Sequence, residues 1–253
     1  MKHRFVFGPA CAGPVLALLA SAMGALHAAA GGLDRQVPVD PDAVPWRAVG
    51  KLQAVSVNFR ETCTAALVGP ALALSAAHCL VNPRTGRFFP SSAVHFLIGY
   101  SGERYAWHAV GRSVRIGTGY DPARPKETIG SDWALIALDK ALGAADRVLP
   151  ILRDPLPAGA SVVLGGYQRD HPLVMIADTH CHILGHAVDA DGKALLRHSC
   201  AGLQGMSGAP LLIDVGGAWY IAAVAVAEAP RAGNLAALPD PTSTPRIGVT
   251  GPP

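Results

Sequence analysis

Ser207 stands in Gly205-Met206-Ser207-Gly208-Ala209-Pro210, a hydroxyl between two glycines with a proline close behind. A hydroxyl attacks a carbonyl only when a base takes its proton and fixed N–H groups meet the oxyanion that forms, so the backbone around it must turn sharply. Gly205 and Gly208 supply that freedom. The same hexapeptide also suits an ordinary turn, and its meaning depends on what stands upstream. There, His78 ends the stretch Leu74-Ser75-Ala76-Ala77-His78-Cys79. Imidazole is the side chain that moves protons near neutral pH. Asp132 opens Asp132-Trp133-Ala134-Leu135-Ile136, an acid at the mouth of an apolar run. Such a carboxylate either caps local backbone or orients a partner. The order His, Asp, Ser is one of the chain orders in which a hydrolytic triad occurs.

Three such residues, far apart in sequence, need a rigid frame. Apolar or alternating runs at 52–59, 64–68, 71–75, 94–98, 106–116 and 133–138 are separated by Gly, Pro and polar clusters, with no long amphipathic helical window among them. Runs of that length and spacing predict antiparallel strands. A polar, proline-containing link over 139–157 follows, and a second set appears at 161–167, 175–184, 194–199, 209–213, 219–227 and 235–238. Two sets of six predict an all-β fold of two six-stranded antiparallel barrels, one over about 49–138 and the other over about 158–239. Residues 31–48, rich in Pro and Asp, read as an extended N-terminal arm, and residues 240–253 as a Pro-rich tail.

At the N-terminus, Lys2, His3 and Arg4 precede an apolar, alanine-rich run, and Ala28-Ala29-Ala30 follows it. That pattern predicts a signal peptide over 1–30, with the mature chain starting near Gly31; the run is too short for a membrane span. Loss of Lys2 and Arg4 would take the formal charge from +3 to +1. A near-neutral domain gives no electrostatic reason to bind nucleic acid or an anionic membrane. Export, to the periplasm or the medium, also sets the cysteine chemistry. Cys11 leaves with the signal, and Cys63, Cys79, Cys181 and Cys200 can form two disulfides with three possible connectivities. Pairing 63 with 79 and 181 with 200 would close two short loops, each contributing about 3 kcal/mol.

The Ser75-Ala-Ala-His78-Cys79, Asp132-Trp-Ala-Leu-Ile and Gly205-Met-Ser207-Gly-Ala-Pro210 blocks resemble those of secreted bacterial peptidases of the trypsin/chymotrypsin-like superfamily, including its glutamyl-endopeptidase-like members. Weaker echoes at Pro45-Trp46-Arg47-Ala48-Val49-Gly50, Gly119-Tyr120-Asp121-Pro122 and Asn234-Leu-Ala-Ala extend the resemblance over about 45–238. It implies a chymotrypsin-like fold with the site between the barrels. It also implies serine endopeptidase activity on protein or peptide substrates, with Ser207 as nucleophile, His78 as base, Asp132 as orienting acid, and the N–H groups of Gly205 and Ser207 as the oxyanion hole. No cofactor is implied.

The sequence departs from the family in two places. Trypsin-type zymogens carry an aspartate just before the nucleophile, which pairs with a newly cut N-terminus; Met206 stands there, so residues 31–45 are not expected to act as an activation peptide. By the family's pattern, Ala201 and Gly202 fall at the base of the primary substrate pocket, and Val224, Ala225, Val226 and Ala227 form a wall. Ala201 stands where a trypsin has its acid, and Val224 near the place of a histidine in glutamate-specific relatives. The expectation is an apolar side chain at P1, the residue before the cut bond, rather than a basic or acidic one. The run His180-Cys181-His182, with His186, His198 and Cys200, superficially suits zinc, but an exported chain favours the disulfide, and no metal is expected. A different class of protein would carry the same residues, namely a binding or adaptor protein that keeps the triad without turnover.

Overall fold

The computed structural model describes residues 35–202, 204–229 and 233–240. The signal peptide expected at 1–30, the start of the arm and most of the Pro-rich tail lie outside the described residues, which all belong to one unit running from Gly32 to Pro253.

The strands in chain order are β1 (Gln36–Pro38), β2 (Val49–Ser56), β3 (Phe59–Gly69), β4 (Leu72–Ser75), β5 (Val81–Asn82), β6 (Arg87–Phe88), β7 (Val94–Ile98), β8 (Trp107–Ile116) and β9 (Ala134–Leu138). They are followed by β10 (Ser161–Tyr167), β11 (Met175–Val188), β12 (Ala194–His198), β13 (Pro210–Val215), β14 (Ala218–Ala227) and β15 (Asn234–Ala237). Six of the first group close into an antiparallel barrel in the order β2-β3-β4-β9-β8-β7. The second group runs β11-β10-β13-β14-β15-β12 and closes through a β11–β12 pairing. Closure pairs most of the backbone edge in each set, but β12 meets β11 only from Ile183 to Val188, which leaves the start of β11 open to another strand.

Two elements have no counterpart in the sequence reading. The short β5–β6 hairpin follows the His78 turn. In the arm, β1 adds to β11 with Gln36 opposite Asp178 and Pro38 opposite Ile176. Three residues show no apolar period, so β1 is invisible to pattern; its order comes from a neighbour's free edge.

The barrel interiors explain the strand sequences. In β4, Ala73 and Leu74 are buried, and in β9 Ala134, Leu135 and Ile136 are buried with them, so small and branched residues interlock in the first core. Leu164, Ile183, Leu196, Leu211 and Ala223 fill the second. Tyr167 joins the two halves: it is fully buried, packs edge-on against Tyr100 and donates its hydroxyl hydrogen to the Tyr100 carbonyl at 2.9 Å.

Candidate active site

His78 begins a one-turn helix, His78–Leu80, directly after β4. The turn is anchored on both sides. Cys79 is disulfide-bonded to Cys63 in β3, and the Ser75 hydroxyl donates to the Thr64 carbonyl at 2.7 Å. Ala76 and Ala77 are fully buried because the loop carrying Ser207 packs onto them. A side chain at Gly208 would strike the Ser75 hydroxyl, the Thr64 carbonyl and the Ala76 amide. Since Gly208 also has φ of +80°, no other residue suits the position.

Asp132 is buried at the end of the turn before β9 and does both things its sequence context allowed. One carboxylate oxygen accepts the His78 backbone N–H at 2.8 Å, and the other lies 2.6 Å from ring Nδ1. The carboxylate therefore fixes the backbone and the ring together, placing the hydrogen on Nδ1 and leaving Nε2 with the lone pair. Burial, the largest single influence on the ring, favours its neutral form. The Asp132 charge, its hydrogen bond and the Glu61 carboxylate together outweigh this and hold the His78 pKa above its ordinary value. The side chain keeps 31% of its surface exposed, which tempers the burial effect.

Ser207 is brought to the same place through its backbone. Its carbonyl accepts the Thr64 N–H at 2.9 Å and lies 3.7 Å from the Cys79 sulfur, next in sequence to His78. The loop is held without an acid at 206. Arg169 N–H donates to the Gln204 carbonyl at 2.7 Å, the Thr64 hydroxyl to the Gly205 carbonyl at 3.2 Å, and Gly208 N–H to the Ala225 carbonyl at 2.8 Å. Met206 is buried, and the Gln168 side-chain amide reaches its sulfur at 3.2 Å. Gly205 has φ of +103°, and a side chain there would come within 2.7 Å of the Tyr167 carbonyl. No acceptor among the described residues takes the N–H of Gly205 or of Ser207.

A cavity of about 260 Å³ opens beside Ser207. Of the six pocket residues read from sequence, Gly202, Ala225, Val226 and Ala227 border it. A register shift between Ala225 and Ala227 lets consecutive residues face the same space. Ala201 and Val224 are corrections. Ala201 is tied down beneath the loop, its N–H donating to Asp178 at 2.8 Å and its carbonyl accepting the Gln36 side chain at 3.0 Å. Val224 points into the core shared with the first barrel. Leu164, His198, Gln204, Met206, Glu228 and Asn234 also border the cavity and were missed. His198 was legible in principle, since it continues the buried side of β12, but a lone histidine carries no signal of its surroundings.

Cys181 is bonded to Cys200, so neither sulfur is available to a metal. Cys63, His78 and Cys79 also cluster, but their two sulfurs are joined to each other. Thiolate ligation needs free thiols, and neither cluster has them.

The two closed six-stranded antiparallel barrels define a chymotrypsin-like fold. A family model described as a trypsin-like peptidase domain matches residues 63–219, and the chain belongs to that family. Human transmembrane protease serine 5 is 28% identical over 209 residues, covering 74% of this chain and 44% of the relative. The cercarial protease of Schistosoma mansoni is 30% identical over 124 residues, covering 44% of this chain and 45% of the relative. The chain thus spans under half the length of these curated relatives. A solved structure of a Glu endopeptidase in complex with MPD superposes with a TM-score of 0.57 at 17% identity, covering 79% of this chain and 88% of that one, a likeness of fold.

Proposed function

We propose that this chain is an exported serine endopeptidase in which Ser207 attacks the substrate carbonyl, His78 moves the proton and Asp132 orients the ring. The observation that carries the reading is the double grip of Asp132 on His78, through the backbone N–H and through Nδ1. With Nδ1 so engaged, Nε2 is the nitrogen that takes the Ser207 proton as the oxygen–carbon bond forms. The carbonyl electrons move to oxygen, where the N–H groups of Gly205 and Ser207 meet the charge. When the tetrahedral intermediate collapses, the amide C–N bond breaks and His78 returns the proton to the leaving amine. Water then repeats the sequence on the acyl-enzyme and frees Ser207. An oxyanion-hole donor contributes about 3 kcal/mol to such a step.

Leu164, Ala225 and Val226 support an uncharged P1 side chain with an apolar stem, and the described cavity residues include no Lys or Arg that would favour an acidic one. The two disulfides support an oxidising destination, periplasm or medium. No helix among the described residues is long and apolar enough to cross a membrane.

The test is labelling by a fluorophosphonate, which reacts with activated serines. The expected result is labelling of the oxidised wild-type protein that is lost in Ser207→Ala and in His78→Ala. An unlabelled wild-type protein would support a binding protein without turnover. The intact mass of the exported chain checks the start near Gly31.

A further inference from the structure

β12 ends on His198, which is 1% exposed, and neither of its ring nitrogens has a hydrogen-bond partner among the described residues. A buried polar group left unpaired is costly, and native proteins seldom carry two on one ring without a use. His198 borders the same cavity as Ser207. The other polar groups there are occupied or peripheral. Asn234 Oδ1 accepts the Ala229 N–H, its Nδ2 donates to the Cys200 carbonyl, and Gln204 and Glu228 are exposed.

The geometry points to His198 as the residue that reads the P1 side chain, and to an uncharged hydrogen-bonding P1 residue, glutamine foremost, as what the cavity takes. This rests on the peptidase reading and gives it a substrate class. Leu164, Ala225 and Val226 would pack the methylenes of the side chain, leaving its tip at the imidazole. Burial pushes the His198 pKa down to about 4, against the pull of the Asp178 carboxylate, so the ring is neutral at physiological pH. A neutral imidazole offers one donor and one acceptor, and a primary amide offers both in return. A P1 carboxylate would bring an uncompensated charge next to Glu228 and near Asp178. A P1 cation would face a neutral ring at the base; among the described lining residues the one carboxylate, Glu228, is exposed, and Asp178 is already paired with Arg35.

The test uses the full oxidised chain and peptides identical except at P1, carrying Gln, Met, Leu, Glu or Lys. The expected result is kcat/KM for Gln at least about tenfold above Met, which has nearly the same shape without the amide. In His198→Leu the Gln:Met ratio should collapse towards one, and His198→Asn should keep part of it. Preference for Met or Leu over Gln, an unchanged ratio in His198→Leu, or cleavage mainly after Glu or Lys would overturn the proposal. If His198→Leu does not fold, the wild-type ratio and His198→Asn decide. Fluorophosphonate labelling separates the two readings: a labelled enzyme with the wrong preference defeats only the role of His198. Absence of both labelling and cleavage defeats both.

Discussion

Arg35 and Asp178 form an ion pair at 3.4 Å that joins the N-terminal arm to β11. Asp178 is fully buried and also accepts the N–H groups of His180 and Ala201, while the same guanidinium donates to the Ser199 carbonyl at 2.8 Å. The arm therefore braces residues 199–201, just before the loop that carries Ser207. Arg35→Met leaves Asp178 with two backbone donors and should cost about 1–2 kcal/mol of stability, given that Arg35 is partly exposed. It should also lower activity by loosening the cavity. Urea unfolding and peptide kinetics on the same preparation check both effects, and an unchanged midpoint would count against the brace.

Met206→Asp should not restore a zymogen-type switch. Met206 is buried with the neutral Gln168 amide, rather than a cation, at its sulfur. A carboxylate there would be buried unpaired, costing about 3 kcal/mol or more. Met206→Leu, which conserves volume, should cost under about 1.5 kcal/mol. Chemical denaturation of the pair measures the contrast.

The pH profile follows from His78. Its folded pKa lies above the ordinary 6.5, and the proposed base works only when neutral, so kcat/KM should rise with pH through a value above 6.5. Glu61 is one of the charges holding that pKa up, and Glu61→Gln should shift the acid limb to lower pH. A shift the other way would contradict the assignment. The sign for stability is the reverse of that for activity. The charged ring's contribution is fully present below the unfolded value and is lost as pH rises through the folded one.

Gly208→Ala should be among the most damaging single substitutions. It adds left-handed strain and a collision with backbone on two sides, and backbone cannot step aside as a flexible side chain can. The expected outcome is a loss of about 2 kcal/mol or more in unfolding free energy, together with loss of fluorophosphonate labelling.

The strand frame was readable because closed antiparallel barrels impose short, buried, β-rich runs; the readings 94–98 and 161–167 coincide with β7 and β10. His78 and Ser207 stood out in the sequence because each sits among small residues, and Asp132 because an acid opens an apolar run. What escaped depends on contacts with no period. β1 is ordered by the edge of β11, Arg35 by a buried acid far along the chain, and His198 by what lies across from it. Ala201 and Val224 lie off the cavity for reasons that family spacing does not carry: Ala201 is held by Asp178 and Gln36 through its backbone, and in β14 the pleat and a register shift decide which residues face the cavity.

Thr64 donates its amide hydrogen to Ser207 and its hydroxyl hydrogen to Gly205, while that hydroxyl accepts the Tyr167 N–H at 2.9 Å. The Thr64–Gly205 bond bridges 141 positions. A ribosome must therefore finish nearly the whole domain before the nucleophile has a shaped loop to sit on. Until then the emerging chain carries His78 and Asp132 without the loop that the proposed peptidase needs, a delay that comes from topology.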